Sequence, residues 1–185
     1  MASATFDLKG QLRFDEQTCT VHDSSNQRLL VVPAAALEEL LKNAGRKASS
    51  QFGTAVGKAA GARVAARLGG AQAVLAAGLE VVLTQIAGEL TIVGLGRVTA
   101  ERWGRAMVLV VAGSASDDDA FVAAVLEGAM GTATGRNVRC VPLGRDGDIT
   151  RALVCSETGA QRARQMLTEG ASWSAVVLRL QGGAS

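Results

Sequence analysis

The chain has 185 residues, of which 48% are hydrophobic, 19% charged and only 3% aromatic, with no tyrosine. That composition describes a globular protein large enough for a substantial core and excludes a disordered one. A formal net charge of +2 argues against strong nucleic-acid binding, and apolar runs such as 107–112 are far too short to span a bilayer.

With so few aromatics, the core has to be built from Val, Leu, Ala and Ile, with glycine bringing backbones together. Cys19, Cys140 and Cys155 are odd in number and far apart, which suits a reducing compartment and no disulfide framework. The first thirty residues lack a basic start followed by an apolar run, so no signal peptide is expected and the location expected is cytoplasmic. Arginine greatly outnumbers lysine, as in proteins of GC-rich bacteria.

Residues 5–8, 11–14, 18–21 and 28–32 are rich in β-favouring residues and separated by turn-like pairs, which predicts an N-terminal β-meander. Pro33 opens a helix, well placed where its missing N–H costs nothing. Leu37, Leu40 and Leu41 mark its buried stripe, and Gly45 stands where a helix cap belongs.

From there every fourth residue is small: Gly45, Ser49, Gly53, Gly57, Gly61, Ala65 and Gly69. Residues four apart share a helix face, so these rungs line a groove almost without side chains. Each glycine inside a helix costs about 1 kcal/mol relative to alanine. The offset expected is close backbone approach by another helix, within the chain or across a homodimer. Six basic residues lie between Lys42 and Arg67 with no acid between Glu39 and Glu80; they read as a solvated basic face. Only Phe52 is available there for stacking on bases, which weighs further against nucleic acid.

Residues 74–87 predict another helix, and residues 90–93 and 107–111 predict strands. Asp117, Asp118 and Asp119 start a helix through Met130, since acids suit the positive end of its dipole. A hairpin follows over 137–143 and 149–155, then a helix from Ser156 to Glu169 and a last strand at 174–180. Strands, long helices, then mixed elements make an α+β fold: an antiparallel sheet with helices packed on one face, the β-meander preceding long Gly/Ala-rich helices. All 185 residues are read as one domain, with the meander at 1–32, a helical part at 33–88 and mixed strand and helix at 89–181.

No catalytic constellation emerges. Gly94 and Gly96 begin like a dinucleotide-binding fingerprint, but its third glycine is Thr99 and too few residues remain for a crossover helix. A glycine bulge in a hairpin strand accounts for them better. His22 is the only histidine and has no companions at metal-ligand spacing. Cys140 and Cys155 come together across the predicted hairpin, where buried structural thiols are expected. Trp103 and Trp173 are the largest side chains and are expected to pack in the core or wall an apolar pocket.

The hairpin ending in Leu30-Val31-Val32-Pro33, the glycine-bearing helix from Gly45-Arg46 through Gly61, the Gly94-Leu95-Gly96 strand pair and the helix with Leu126-Glu127-Gly128 have a shared order. Over residues 25–156 this order resembles the vinyl-reductase-type small-molecule-binding domains, which are similar in fold to TRAPP transport-particle subunits and haem nitric-oxide-binding domains. The resemblance implies a homodimer formed through helices and an apolar cavity for a hydrophobic ligand. Cys140 and Cys155 depart from the family's cysteine cluster and no helix carries an axial histidine, so neither metal nor haem is expected; residues 158–180 look like an addition.

The sequence therefore reads as a non-enzymatic dimeric regulatory or adaptor module without a cofactor. Its expected helix or dimer interface is Gly45, Ser49, Gly53, Gly57, Gly61 and Ala65. A hydrophobic small molecule is expected near Phe52, Val56, Leu83, Ile86 and Trp103, and a protein partner is expected as well. The alternatives are a scaffold docking a larger protein with no ligand, and a nucleotide-binding enzyme using Gly94 and Gly96.

Overall fold

The structure, a computed structural model, describes residues 5–182. Its first element is a three-stranded antiparallel meander of β1 (Leu12–Asp15), β2 (Thr20–Asp23) and β3 (Arg28–Leu29). Two aspartates build its turns. Asp15 accepts from the amides of Gln17 and Thr18 at 3.0 and 3.2 Å, and these bonds hold its carboxyl below the ordinary range. Asp23 accepts from the amides of Ser25 and Gln27, both at 2.9 Å. Residues 5–8 form no strand; there Phe6 lies over Gly88. The third strand stops at Leu29, leaving Leu30, Val31 and Val32 exposed.

Pro33 caps α1 (Ala34–Leu68), and the helix is broken at Gly45, whose φ of 79° and ψ of 162° no helical residue adopts. Such a left-handed φ is cheap only for glycine, so a helix stripe and a small-residue ladder meet there at a bend. The chain continues through α2 (Ala71–Ala76) and α3 (Leu79–Ile92). One helix was expected over 74–87 and a strand over 90–93. The strand is instead the last turn of α3, because Val82, Ile86 and Leu90 recur every four residues and all three are buried.

A four-stranded antiparallel sheet follows, ordered β4-β5-β7-β6. Its strands are β4 (Arg97–Trp103), β5 (Ala106–Ala112), β6 (Arg139–Asp146) and β7 (Ile149–Cys155), with α4 (Asp119–Thr134) between the two hairpins. Strand β4 went unread in the sequence because it is an edge strand whose outward residues Arg97, Thr99 and Trp103 are exposed. The last elements are α5 (Glu157–Thr168) and α6 (Trp173–Gly182). Residues 174–180 were expected to be a strand with Val176, Leu178 and Leu180 on one side. Instead Val176 and its neighbour Val177 are both fully buried and Leu178 is 60% exposed, which is helical spacing.

The long helices pack on one face of the sheet, where Val98, Leu109, Val111, Cys140 and Ala152 meet Val82, Ile86, Val122, Val125 and Leu126. The C-terminal pair α5 and α6 covers the other face, joining Ala160, Ala163, Val176 and Val177 to Val108, Val110, Val141 and Leu153. Among the described residues no helix is long and apolar enough to cross a membrane.

Candidate functional site

The glycine ladder faces α4 of the same chain. A β-carbon built on Gly53, Gly57 or Gly61 would lie 2.8, 2.0 or 2.4 Å from the carbonyl oxygen of Phe121, Val125 or Ala129. Gly128 answers from α4, where a β-carbon would fall 2.6 Å from the Thr54 carbonyl oxygen. The other rungs differ. Ser49 donates to Asp118 at 2.5 Å, Ala65 is half-buried, and Gly45 is the bend itself with open space around it. The seam Gly53–Gly61 is thereby filled from within the chain and leaves no groove for a second copy.

The five residues expected to share a ligand pocket do not converge. Phe52 is half-exposed and stacks on Phe121 with centroids 6.1 Å apart. Val56 lines a crevice of about 20 Å³, and Ile86 is fully buried in the core. Trp103 packs edge-on against Trp173 at 5.3 Å, on the α6 side of the sheet. Only Leu83 borders a roomy cleft.

Three other expectations also move. Gly94 and Gly96 lie where α3 turns into β4, not in a bulged hairpin strand and not before a helix. Gly96 has φ 94°, and a β-carbon there would lie 2.4 Å from the Ala112 carbonyl oxygen, so turn and packing account for it. Cys140 pairs in register with Val154 and Cys155 with Arg139, which points the two thiols to opposite faces of the sheet. Burial pushes Cys155 up to about 11 and Cys140 further, leaving both as neutral thiols. Arg63, read as part of a solvated face, is buried and paired.

The roomy cleft has a volume of about 650 Å³ and lies between α3 and the edge strand β4. Leu79, Leu83 and Ala87 form one wall, since residues four apart share a helix face. Val98, Ala100 and Met107 form the other. Polar groups sit among them: Thr84 and Glu80 on α3, Thr99 and Arg102 on β4. Mostly apolar walls with a few polar groups, in this volume, match the usual make-up of small-molecule sites.

Behind the wall, the opposite side of α3 is fixed by charge. Glu89, 1% exposed, accepts from Arg63 Nε at 2.6 Å and from Arg67; Arg63 Nη1 reaches Asp23 at 3.3 Å. Arg67 also donates to Gln85 at 3.1 Å and to Gln11 at 3.2 Å. One buried network thus ties α3 to α1 and to the meander. The signal in the sequence was Glu89 itself, the lone acid in the apolar stretch between Glu80 and Glu101. An isolated buried charge is too costly to persist without a partner.

These features define the class: an α+β protein with a meander, a glycine-packed helix pair and a helix-backed antiparallel sheet bordering an apolar cleft. No family model matches the chain and no curated protein does. Among solved structures it is similar to the phenol-responsive sensory domain of the transcription activator PoxR, determined with phenol. The TM-score is 0.59 at 18% identity, over 80% of this chain and 85% of that one. The likeness establishes a common fold.

Proposed function

We propose that this chain is a non-enzymatic small-molecule-sensing module of the vinyl-reductase-type superfamily. Its ligand, an apolar molecule with one polar group such as a phenol, occupies the α3–β4 cleft. The observation that carries the reading is the placement of that cleft. Its helical wall is the helix whose back is anchored through Glu89 to Arg63, Arg67 and Asp23. A ligand wedged against Leu83 and Ala87 displaces α3, and the buried ion network passes that displacement to α1 and the meander. The likeness in fold to a phenol-responsive sensory domain supports the same reading.

The single 185-residue unit acts in the cytoplasm as a regulatory or adaptor module, passing its state to a protein partner. If it is a homodimer, the surface used lies away from Gly53–Gly61, which α4 already fills. The test is calorimetric titration of the protein with phenol and its alkyl derivatives, repeated on Ala100→Trp. The new indole fills the cleft from an exposed position, so saturable binding in the native protein and its loss in the variant are expected. Binding that survives the substitution places the ligand elsewhere. A native mass without any adduct and no binding of any phenol favours a scaffold without a ligand.

A further inference from the structure

A second cleft, of about 550 Å³, opens where α1, α4, β6 and α5 meet, and its chemistry is of another kind. Arg46, Ser50 and Thr54 line one wall at intervals of four, so all three share one face of α1. Arg164 faces the same space from α5. Neither Arg46 nor Arg164 has a carboxylate within ion-pair distance among the described residues. The cleft's one acid, Glu127, is already committed: one carboxylate oxygen accepts from Arg139 Nη1 at 2.6 Å and the other from the Cys140 amide at 3.0 Å. Arg139 is held in turn by Glu157 at 2.5 Å, and these two carboxylates raise its pKa, keeping it fully charged. The hydroxyl of Thr54 donates to the Ser50 carbonyl and adds no donor.

What remains is two unneutralised guanidiniums on different elements above a floor of Ala120, Ala123 and Ala124. The alanines give the floor depth and an apolar surface. Guanidinium groups bind carboxylate and phosphate through paired, charge-assisted hydrogen bonds. We infer that this cleft binds a small organic anion, an apolar body bearing a carboxylate or a phosphate, held by Arg46 and Arg164 with its body on the alanine floor. The site is separate from the α3–β4 cleft and stands whether or not that cleft takes a phenol.

The test follows backbone amide shifts of the full chain titrated with benzoate, phenyl phosphate, inorganic phosphate and phenol, in low and moderate salt. Saturable shifts at Ser50, Ala123, Ala124 and Leu167 are expected with benzoate or phenyl phosphate, weakening as salt rises. Arg46→Gln combined with Arg164→Gln weakens this binding at least about tenfold. A control of equal net charge, Arg136→Gln with Arg179→Gln, leaves it unchanged. Both pairs alter exposed side chains, and thermal melts confirm that each variant folds. Equal binding by both double variants, or shifts spread without saturation over the surface arginines, overturns the site. Inorganic phosphate binding as tightly as phenyl phosphate overturns the organic class, because the floor then contributes nothing.

Discussion

Replacing Gly57 with alanine tests the packing at the centre of the molecule. In an ordinary helix interior the change stabilises by about 1 kcal/mol. Here the new methyl would lie 2.0 Å from the Val125 carbonyl oxygen, 2.8 Å from its carbon and 2.9 Å from the Ala129 nitrogen. Ordinary contact needs roughly 3.4 Å, so α1 and α4 must separate by more than an ångström. A gap of 0.5–1 Å already forfeits about a quarter to a half of each contact's dispersion energy, and the whole seam shares the loss. The obstacle is backbone and cannot rotate away. We expect net destabilisation of about 3 kcal/mol, the upper end for overpacking. For a chain of this length that lowers the melting temperature by about 6–12 °C. Gly88→Ala is the comparison, since its methyl meets the ring of Phe6, a side chain held only by Arg67 stacked over it, and not a helix backbone; a smaller loss than at Gly57 is expected. Thermal and urea unfolding followed by circular dichroism measures both variants. A Gly57→Ala protein as stable as the native one would refute the reasoning.

Other substitutions probe the charges and thiols. Glu89→Ala leaves the buried Arg63 with Asp23 as its one remaining carboxylate and takes away the carboxylate partner of Arg67. The loss expected by chemical denaturation is about 3 kcal/mol, the lower end for breaking a buried pair, and limited proteolysis should then cut the meander first. Asp118→Ala removes the acceptor for the amides of Ala120 and Phe121 and for Ser49, costing about 1–2 kcal/mol in the same assay. Iodoacetamide at pH 8 should modify the exposed Cys19 well before Cys155 or Cys140, read by peptide mass spectrometry. For the raised thiols, the unfolded chain loses its protons first as pH climbs past 9, the ordinary cysteine value here. Stability therefore holds below pH 9 and falls between pH 9 and about 11 as Cys155 is passed. A denaturation midpoint that stays flat over that window would contradict the burial of these thiols.

The legible parts of the sequence were those where a local rule and the tertiary arrangement agree. Missing side chains at Gly53, Gly57 and Gly61 demanded a close neighbour, and that neighbour is α4. Asp118 announced a helix start and caps one. Elsewhere short apolar runs have two readings. Residues 90–93 and 174–180 favour strands by composition, yet Leu90 extends the Val82–Ile86 stripe and Val176–Val177 bury side by side. Edge strand β4 hid behind its arginines and its exposed tryptophan. The site was harder, because it depends on distant partners. Nothing local says that Arg63 will turn inward to Glu89 and Asp23, 26 and 40 residues away. Leu83 was expected to line a ligand pocket and borders the α3–β4 cleft, where Val98, Ala100 and Met107 arrive opposite it only once β4 pairs with β5.

The most direct measurement of the proposed sensing is an amide-shift map of the isotopically labelled protein with and without saturating phenol. The account predicts large changes at Leu83, Thr84, Ala87 and Ala100, with smaller ones relayed to Glu89 and Asp23. Shifts confined to other surfaces, or a spectrum that phenol leaves unchanged, would contradict it.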